Sequence, residues 1–456
     1  MPRATLTFLN HACFMVRTDA ALLVADPWLE GAVLDGAWSL IDGATSTASL
    51  LDTLNSAGVP IYIWCSRAQP DHFSLPFLRR FRSEFRGIAT FLYRPGRDMR
   101  IGDELRRLRL PLAECPDGVT VALAGDLRLT ALANGDGDTA CLIGCGGRTI
   151  LNLGDRALPT AEACHAAAPR IGRVASRIDV LLTGFGSMGW CGNPEQFALR
   201  EAGAKAAVER LAVQVERFRP KLVLPIASFA RFARADNVWL NGGRMSPSEL
   251  LEVSRLEGVR GVVRFLAPGA SIDLLRDTPG TLASAHARAL EHWTECWRSR
   301  PPPLPRPPQA SLGELKAAFS RYRERVTTGL HVLPRLLETV GTLRPLLVHL
   351  PDLRQTVELS YRHGFRLKSR ETAAHVAMFS GTALQLLRAE DGFDTVYAGG
   401  CFWTLRRSGL PVFGRFFLPQ RMGRRGADRR SPLKMGGYLW RALVGRMARQ
   451  LQAALR

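Results

Sequence analysis

Ten short runs within the first 230 residues are apolar or alternate apolar with polar: ATLTFL, ACFMV, ALLVAD, PIYIWC, VTVALAG, LRLTALA, TACLIG, RTILNLGD, DVLLTGF and KLVLPIAS. Most end at Gly, Asp, Asn or Pro, and their length is that of strands rather than helices. Between them, LPFLRRFRSEF and AGAKAAVERLAVQVERF carry helical periodicity. In the second, Ala, Val and Leu share one face while Lys205, Glu209, Arg210 and Glu216 lie elsewhere. Strand pairs first, then strands interleaved with helices, exclude an all-helical or all-β chain. The pattern predicts sheets covered by helices, an α/β fold.

A composition shift divides the chain. SRPPPLPRPPQA, residues 299–310, places six prolines within eight positions. Proline lacks a backbone donor and favours extended polyproline II, so a semi-rigid linker is expected in preference to an SH3-type ligand. The expected organisation is an α/β domain over 1–298, a linker over 299–309, a smaller α+β domain over 310–420 and a basic tail over 421–456. Past the linker, LGELKAAFSRYRERVTTGLHVLPRLLETV and GTALQLLRAE read as helical, and TVYAGGCFWTL as a hairpin. A length of 456 residues with 46% hydrophobic content supports substantial cores and excludes global disorder. No apolar run reaches 18 residues, which argues against an integral membrane protein. The first ten residues lack the basic stretch and apolar core of a secretory signal, and nine cysteines show no framework spacing. A reducing, cytoplasmic location is expected.

The formal charge of +20 calls for an anionic partner, but it is uneven. Residues 421–456 hold ten basic residues and one acid, Asp428. Within them, Leu439, Leu443, Met447, Leu451 and Leu455 recur every four residues. Such a helix either packs its stripe on the domain body, the favoured reading, or lies peripherally on an anionic membrane surface. Nucleic acid ranks lower, because no base-stacking aromatics are interleaved with the arginines.

The chemistry concentrates in Trp64-Cys65-Ser66-Arg67-Ala68-Gln69-Pro70-Asp71-His72-Phe73-Ser74, directly after the apolar run PIYI. A polar segment leaving a buried strand is where open sheets place active groups. Asp71 and His72 can share a metal, form an acid/base pair, or simply hydrogen-bond each other. The segment resembles the Ser-His-x-His-x-Asp-His signature of the metallo-β-lactamase superfamily, with Ser66, Asp71 and His72 kept and Arg67 and Gln69 in place of the leading histidines. Asn10-His11-Ala12-Cys13-Phe14 resembles its first hairpin, and Ala25-Asp26-Pro27-Trp28-Leu29 the stretch whose acid, Asp26, lies beneath the metals. Asn152-Leu153-Gly154-Asp155 resembles the strand ending in the bridging aspartate. Leu224-Pro225-Ile226-Ala227-Ser228-Phe229 resembles the last motif, where a histidine commonly stands at the Ala227 position. The resemblance implies an αββα sandwich. Within the superfamily, Asp26 to Gly31, Trp38, Asp71 to Pro76, Pro225 to Phe229, Asp236, Asn237, Asn241, Gly392 to Thr395 and Gly399 to Phe402 are similar to the branch of CMP-N-acetylneuraminate hydroxylase. No Cys/His pairs in this sequence fit the Rieske cluster of that enzyme.

The departures set the expectations for metal. Residues 1–298 contain five histidines, His11, His72, His165, His286 and His292, and only His72 falls on a ligand motif. Asp71, His72 and Asp155, with Asp136 or Asp138 as possible additions, could hold one divalent ion, with iron, manganese or magnesium fitting better than zinc. Ligand count nonetheless favours no metal over one, and one over two. Asp71, His72 and Asp155 fall short of two histidines and one carboxylate, so an iron oxygenase site would need a ligand from outside the motifs. Arg67 puts a permanent positive charge where a ligand belongs, either as a fossil ion pair or as an anion receptor. His11 reads as a hairpin-packing residue and Cys65 as a buried, inert thiol. Asn237, Trp239 and Asn241 line a pocket or stabilise a turn. The glycine-rich stretch from Gly184 to Gly192 reads as a flexible wall or lid, without the Lys-Ser/Thr of a phosphate loop.

The leading functional expectation is an enzyme acting on an anionic small molecule, such as a nucleotide sugar or specialised metabolite, by hydrolysis or oxidation. In it Arg67 clamps the substrate, Gln69 donates a hydrogen bond and His72, beside Asp71, transfers protons. The rivals are a non-catalytic binding or scaffold subunit that partners another protein, and a membrane-surface lipid hydrolase.

Overall fold

The computed structural model describes residues 3–96, 99–134, 138–330, 333–369 and 372–424. The chain forms two compact units. The first comprises Met1–Gly96, Arg100–Arg306 and Tyr397–Cys401; the second comprises Arg97–Met99, Pro307–Val396 and Phe402–Arg456. The first unit thus runs beyond residue 298 and takes back a short segment from far downstream.

In the first unit a seven-stranded sheet runs in the order Ser271–Asp273, Ala4–Asn10, Cys13–Thr18, Leu22–Ala25, Ile61–Cys65, Ala89–Tyr93, Leu112–Glu114. The first three pairings are antiparallel and the last three parallel. A six-stranded sheet runs Leu222–Ile226, Val180–Gly184, Arg148–Asn152, Asp138–Cys145, Arg128–Asn134, Thr120–Ala122, parallel at its start and antiparallel thereafter. The two-residue side-chain period explains the layering. In Cys13–Thr18, Phe14 and Val16 join a core shared with Leu129, Ala131, Ile143, Ile150 and Leu181 of the other sheet. Cys13 and Met15 point to the opposite face, against Leu50, Leu51 and Leu54 of helix Thr47–Asn55 and Phe77, Leu78 and Phe81 of helix Leu75–Glu84. Helix Phe197–Phe218 contributes Val208, Leu211 and Val215 to the shared core. The layers are helix, sheet, sheet, helix, as the resemblance implied.

The second unit has a five-stranded sheet in the order Gly364–Lys368, Gln355–Ser360, Leu346–Leu350, Val376–Ala377, Trp403–Thr404. Helices Leu312–Leu330, Ser380–Arg388 and Gly409–Phe416 accompany it, giving an α+β unit. One local expectation needs correction. TVYAGGCFWTL is no hairpin: its first half belongs to helix Gly392–Gly399, and only Trp403–Thr404 is strand. After the Pro-rich segment, Leu312–Leu330 and Leu333–Thr339 are helical, as expected. Within that segment the Leu304 N–H donates to Ala233 O at 2.7 Å and Leu304 O accepts from the Ala235 N–H at 3.0 Å. Helix Leu418–Arg424 spans residue 420. Asp136 and the amphipathic stretch Tyr438 to Leu455 lie outside the described residues, as does the side chain of Asp138, whose backbone pairs with Asn134. Among the described residues no helix is long and apolar enough to cross a membrane.

Candidate functional site

Two parallel neighbours of the seven-stranded sheet, Leu22–Ala25 and Ile61–Cys65, end side by side, and the site begins where they stop. The Asp26 N–H donates to Trp64 O, and its carboxylate accepts from the Ser66 N–H at 2.8 Å, the Ser66 hydroxyl at 2.6 Å and His72 Nδ1 at 2.7 Å. That last bond fixes the His72 ring and turns Nε2 toward Asp71 Oδ2, 3.2 Å away. The turn closes where the His72 and Phe73 N–H groups donate to Gln69 O, and Ser74 then caps helix Leu75–Glu84. Asp155 arrives from the six-stranded sheet, just past strand Arg148–Asn152.

Arg67 is spent on these acids. Its Nη1 lies 2.8 Å from Asp155 Oδ1, and its Nη2 donates to Asp155 Oδ2 at 3.0 Å and Asp71 Oδ2 at 3.4 Å. This two-pronged pairing is the strong geometry for a guanidinium and a carboxylate. Arg67 is thus paired with both acids, the ion-pair alternative of the two expected for it.

His11 was expected to pack a hairpin, and the structure places it in the cluster. Its Nε2 is 3.8 Å from Asp71 Oδ2, and its ring stands edge-on to Trp28 and 6.2 Å from the His72 ring, centroid to centroid. The Ala227 N–H donates to His11 O at 2.6 Å, so the His11 loop lies beside the last-motif position. His11, Asp26 and Ala227 all have left-handed backbones, with φ of 41°, 45° and 52°. Non-glycine residues pay for that conformation, and such strain gathers at functional sites. The clue in the sequence was the pairing of Asn10-His11 at a hairpin turn with an alanine where the last histidine belongs.

The electrostatics follow from burial and pairing. Burial holds His11 below its ordinary value, despite Asp71, so its imidazole is neutral at pH 7. Burial and Arg67 push His72 down, but Asp71 and Asp26 outweigh them and raise it to about 10 in the absence of metal. Burial raises Asp71 and Asp155, yet the neighbouring cations prevail. His72 and Arg67 hold Asp71 well below the usual carboxylate range. Arg67, His72 and Arg156 hold Asp155 at about 2.

The donor set fits one divalent ion. Ligand atoms of His11, Asp71 and His72 all lie within 4.8 Å of one another, and all three residues are buried. Asp71 Oδ1 and His72 Nε2 are buried without a hydrogen-bond partner, which a native site rarely tolerates unless something else satisfies them. Two histidines and one carboxylate are thus assembled after all, the third ligand coming from outside the motifs. Asp155 Oδ1, 3.9 Å from His72 Nε2, is held by Arg67.

The remaining expected site residues stand elsewhere. Gln69 contributes its backbone carbonyl to the turn. Asn237 donates its amide to Ala37 O and Gly399 O and accepts from the Arg234 N–H, so its bonding capacity goes to backbone. Asn241 clamps the N–H and C=O of Phe232, and Trp239 donates to Gly192 O. These hydrogen bonds fit the turn-stabilising alternative expected for the three residues. The stretch from Gly184 to Gly192 is a tethered wall rather than a lid: the Phe185 and Gly186 N–H groups donate to Ser228 Oγ, and that of Trp190 to Tyr397 O. Cys65 is buried, and burial with Asp26 raises its thiol well above the ordinary range, as an inert thiol requires.

No family model matches the chain. It is 24% identical over 291 residues to cytidine monophosphate-N-acetylneuraminic acid hydroxylase of Danio rerio, covering 59% of this chain and 46% of that protein. The corresponding protein of Asterias rubens is 25% identical over 222 residues, 48% of this chain and 31% of that one. The chain thus spans less than half the length of these curated relatives. Among solved structures, a variant of CmlA β-hydroxylase superposes with a TM-score of 0.41 at 17% identity over 60% of this chain and 54% of its own. Zinc-bound PqqB of Methylobacterium extorquens superposes with a TM-score of 0.36 at 12% identity, over 59% and 99%. The sequence similarity and the two-sheet topology support the metallo-β-lactamase superfamily and, within it, the branch resembling the CMP-N-acetylneuraminic acid hydroxylases.

Proposed function

We propose that the first unit is a single-metal enzyme. In this reading His11, Asp71 and His72 hold one divalent ion, Arg67 takes the place of a second, and the centre oxidises an anionic small molecule. The observation that carries it is the convergence of His11, Asp71 and His72 with Asp26 fixing the His72 ring. Two histidines and one carboxylate form the facial donor set of mononuclear iron(II) oxygenases, and the sequence relatives are named as hydroxylases. Both favour oxidation over hydrolysis. Iron(II), held by His11, Asp71 and His72, would supply redox chemistry; the chain supplies the rest. Asp26 holds the His72 Nδ1 proton so that Nε2 is presented as a ligand, and Trp28 walls the His11 ring. Arg67 offsets the charge of Asp155 and Asp71 without occupying a coordination position.

The test is metal analysis of protein reconstituted anaerobically with iron(II), beside His11→Ala, Asp71→Ala and His72→Ala. One equivalent in the parent protein and a loss of at least tenfold in affinity in each variant is the expected result. Protein that binds no iron, manganese or zinc overturns it and supports the second reading, a non-catalytic binding subunit. The Arg67–Asp155 pairing favours that alternative, because it fills a cation position with a side chain. An anionic membrane surface or a nucleic acid as partner rests on residues 425–456, outside the described structure.

A further inference from the structure

Helix Ala283–Arg298 presents His292 and Cys296 four positions apart, hence on one face. The helix is fixed from its core side by Trp293, whose ring stacks on Phe229 at 4.1 Å between centroids and whose Nε1 donates to Leu266 O. The Phe229 carbonyl in turn accepts from the Ile41 N–H at 3.0 Å, which sets Asp42, just past strand Trp38–Leu40, against that helix. His292 Nε2 stands 3.7 Å from Asp42 Oδ2 and 3.6 Å from Cys296 Sγ. Ligand atoms of all three residues lie within 4.8 Å of one another. The side chains of Asp42 and His292 are 11% and 32% exposed, so an ion and a water can reach them.

Hydrogen bonding does not account for this spacing. A nitrogen–oxygen hydrogen bond closes to about 2.7–3.2 Å. Without a cation the single Nε2 cannot serve both neighbours, because accepting the Cys296 thiol proton leaves it none for Asp42. Around tetrahedral zinc, bonds of about 2.0 Å to nitrogen and oxygen and about 2.3 Å to sulfur put neighbouring ligand atoms about 3.3–3.6 Å apart. Thiolate with imidazole selects zinc over magnesium or calcium. The local charge agrees. Burial raises the Cys296 thiol, Asp42 and Glu295 raise it further, and Arg231, the weakest of the three charges there, lowers it. Arg231 itself donates to Ile41 O, Cys296 O and Ser299 O, tying the same two segments together. Cys191, the other partly buried cysteine, instead feels Arg200 and Arg244, which repel a cation.

We propose that Asp42, His292 and Cys296 form a second metal site, which takes one zinc ion with water as the fourth ligand and pins helix Ala283–Arg298 to the Asp42 turn. That turn supports the His11 hairpin: Asp42 O accepts from Asn10 Nδ2 at 3.0 Å, and Asn10 Oδ1 accepts from the His11 N–H at 2.9 Å. On binding, the Cys296 thiol gives its proton to solvent, and Sγ, His292 Nε2 and Asp42 Oδ2 each donate a lone pair to zinc. No oxidation state changes, and uptake strengthens as pH rises. The site does not rest on the single-metal reading of His11, Asp71 and His72.

Cobalt(II) is the probe, because a thiolate bound to it gives a sulfur-to-metal charge-transfer band in the near ultraviolet that nitrogen and oxygen ligands do not. Titrating the full chain with cobalt is expected to raise that band to saturation at one site, and zinc is expected to displace it. Cys296→Ser abolishes the band, His292→Ala and Asp42→Asn each weaken binding at least tenfold, and Cys191→Ser leaves it unchanged. Zinc is also expected to slow alkylation of Cys296 at least tenfold in the unaltered protein, with EDTA restoring the rate, a readout that survives if a variant fails to fold. Asp71→Ala, which removes a ligand of the first site, keeps the cobalt band, so the two readings fail separately. In Asp71→Ala zinc still raises the melting temperature, and adding Cys296→Ser removes that rise. No band, a band that survives Cys296→Ser, or alkylation of Cys296 at the same rate with and without zinc overturns the proposal.

Discussion

Replacing Arg67 with alanine isolates what the guanidinium does. In the metal-free cluster Arg67 is the buried guanidinium shared by Asp71 and Asp155. Without it Asp155 loses a bidentate partner at 2.8 and 3.0 Å and keeps only the more exposed Arg156 at 3.6 Å and His72 Nε2 at 3.9 Å among its cations. Removing one member of a buried pair costs about 3–5 kcal/mol. At about 2–4 °C per kcal/mol for a large domain, the melting temperature is expected to fall by about 10 °C. A divalent ion then regains what the guanidinium supplied: at a concentration 100 times its Kd, binding returns about 2.7 kcal/mol. Scanning calorimetry of Arg67→Ala and the parent, each with EDTA and with excess manganese or zinc, gives the comparison. The metal-induced rise is expected to be larger in Arg67→Ala, because Asp155 is freed to ligate, and Arg67→Lys is expected to fall between. A variant that melts within 1 °C of the parent in EDTA, or whose metal-induced rise is no larger, refutes the idea that Arg67 replaces a cation.

Asp26→Asn keeps the shape at His72 but weakens its hold on Nδ1, and chelator competition is expected to show metal affinity lowered by about 10- to 100-fold. Gly184→Ala drives a methyl to within 2.8 Å of Asp155 Cα, so the wall or Asp155 must shift; a loss of about 1–3 kcal/mol in urea unfolding is expected. His286 and His375 accept backbone N–H bonds from Phe265 and Leu347 through Nδ1, and burial holds both below the ordinary imidazole value of 6.5. The unfolded chain therefore takes up these protons first, so their contribution is complete above pH 6.5 and is lost as pH falls below it. Melting temperatures from pH 7.5 to 5 are expected to drop less steeply in His286→Gln, which retains an acceptor; an identical slope refutes the assignment.

The part of the fold that was legible came from periodicity and termination. Cys13, Phe14, Met15 and Val16 form an unbroken apolar run, and a strand apolar at both alternating sets is buried on both faces. The helix in TVYAGGCFWTL was not legible for the converse reason. Thr395, Val396, Tyr397, Phe402 and Trp403 favour strands in isolation, but residues 397–401 are held by the first unit, where Asn237 reaches Gly399 O and the Trp190 N–H reaches Tyr397 O. Tertiary context overrode local preference there.

The site divides along the same line between local and long-range information. Asp26, Arg67, Asp71, His72 and Asp155 sit in motifs whose order is fixed along the chain, so their meeting could be anticipated. His11 could not be assigned from its own neighbours, because the backbone bond that holds its loop comes from Ala227, 216 positions away. Once His11 enters, the departures at Arg67, Gln69 and Ala227 stop being independent losses. On the proposed single-metal reading, Arg67 takes one cation position and pairs with Asp155, while His11 completes the other position with a neutral imidazole. A decayed two-metal site would leave buried acids without partners, at a cost of several kcal/mol each. Here Asp155 is paired and Asp26 is hydrogen-bonded, and the unsatisfied atoms of the cluster include Arg67 Nε beside His11 Nδ1, Asp71 Oδ1 and His72 Nε2. On the proposed single-metal reading, one ion would satisfy Asp71 Oδ1 and His72 Nε2.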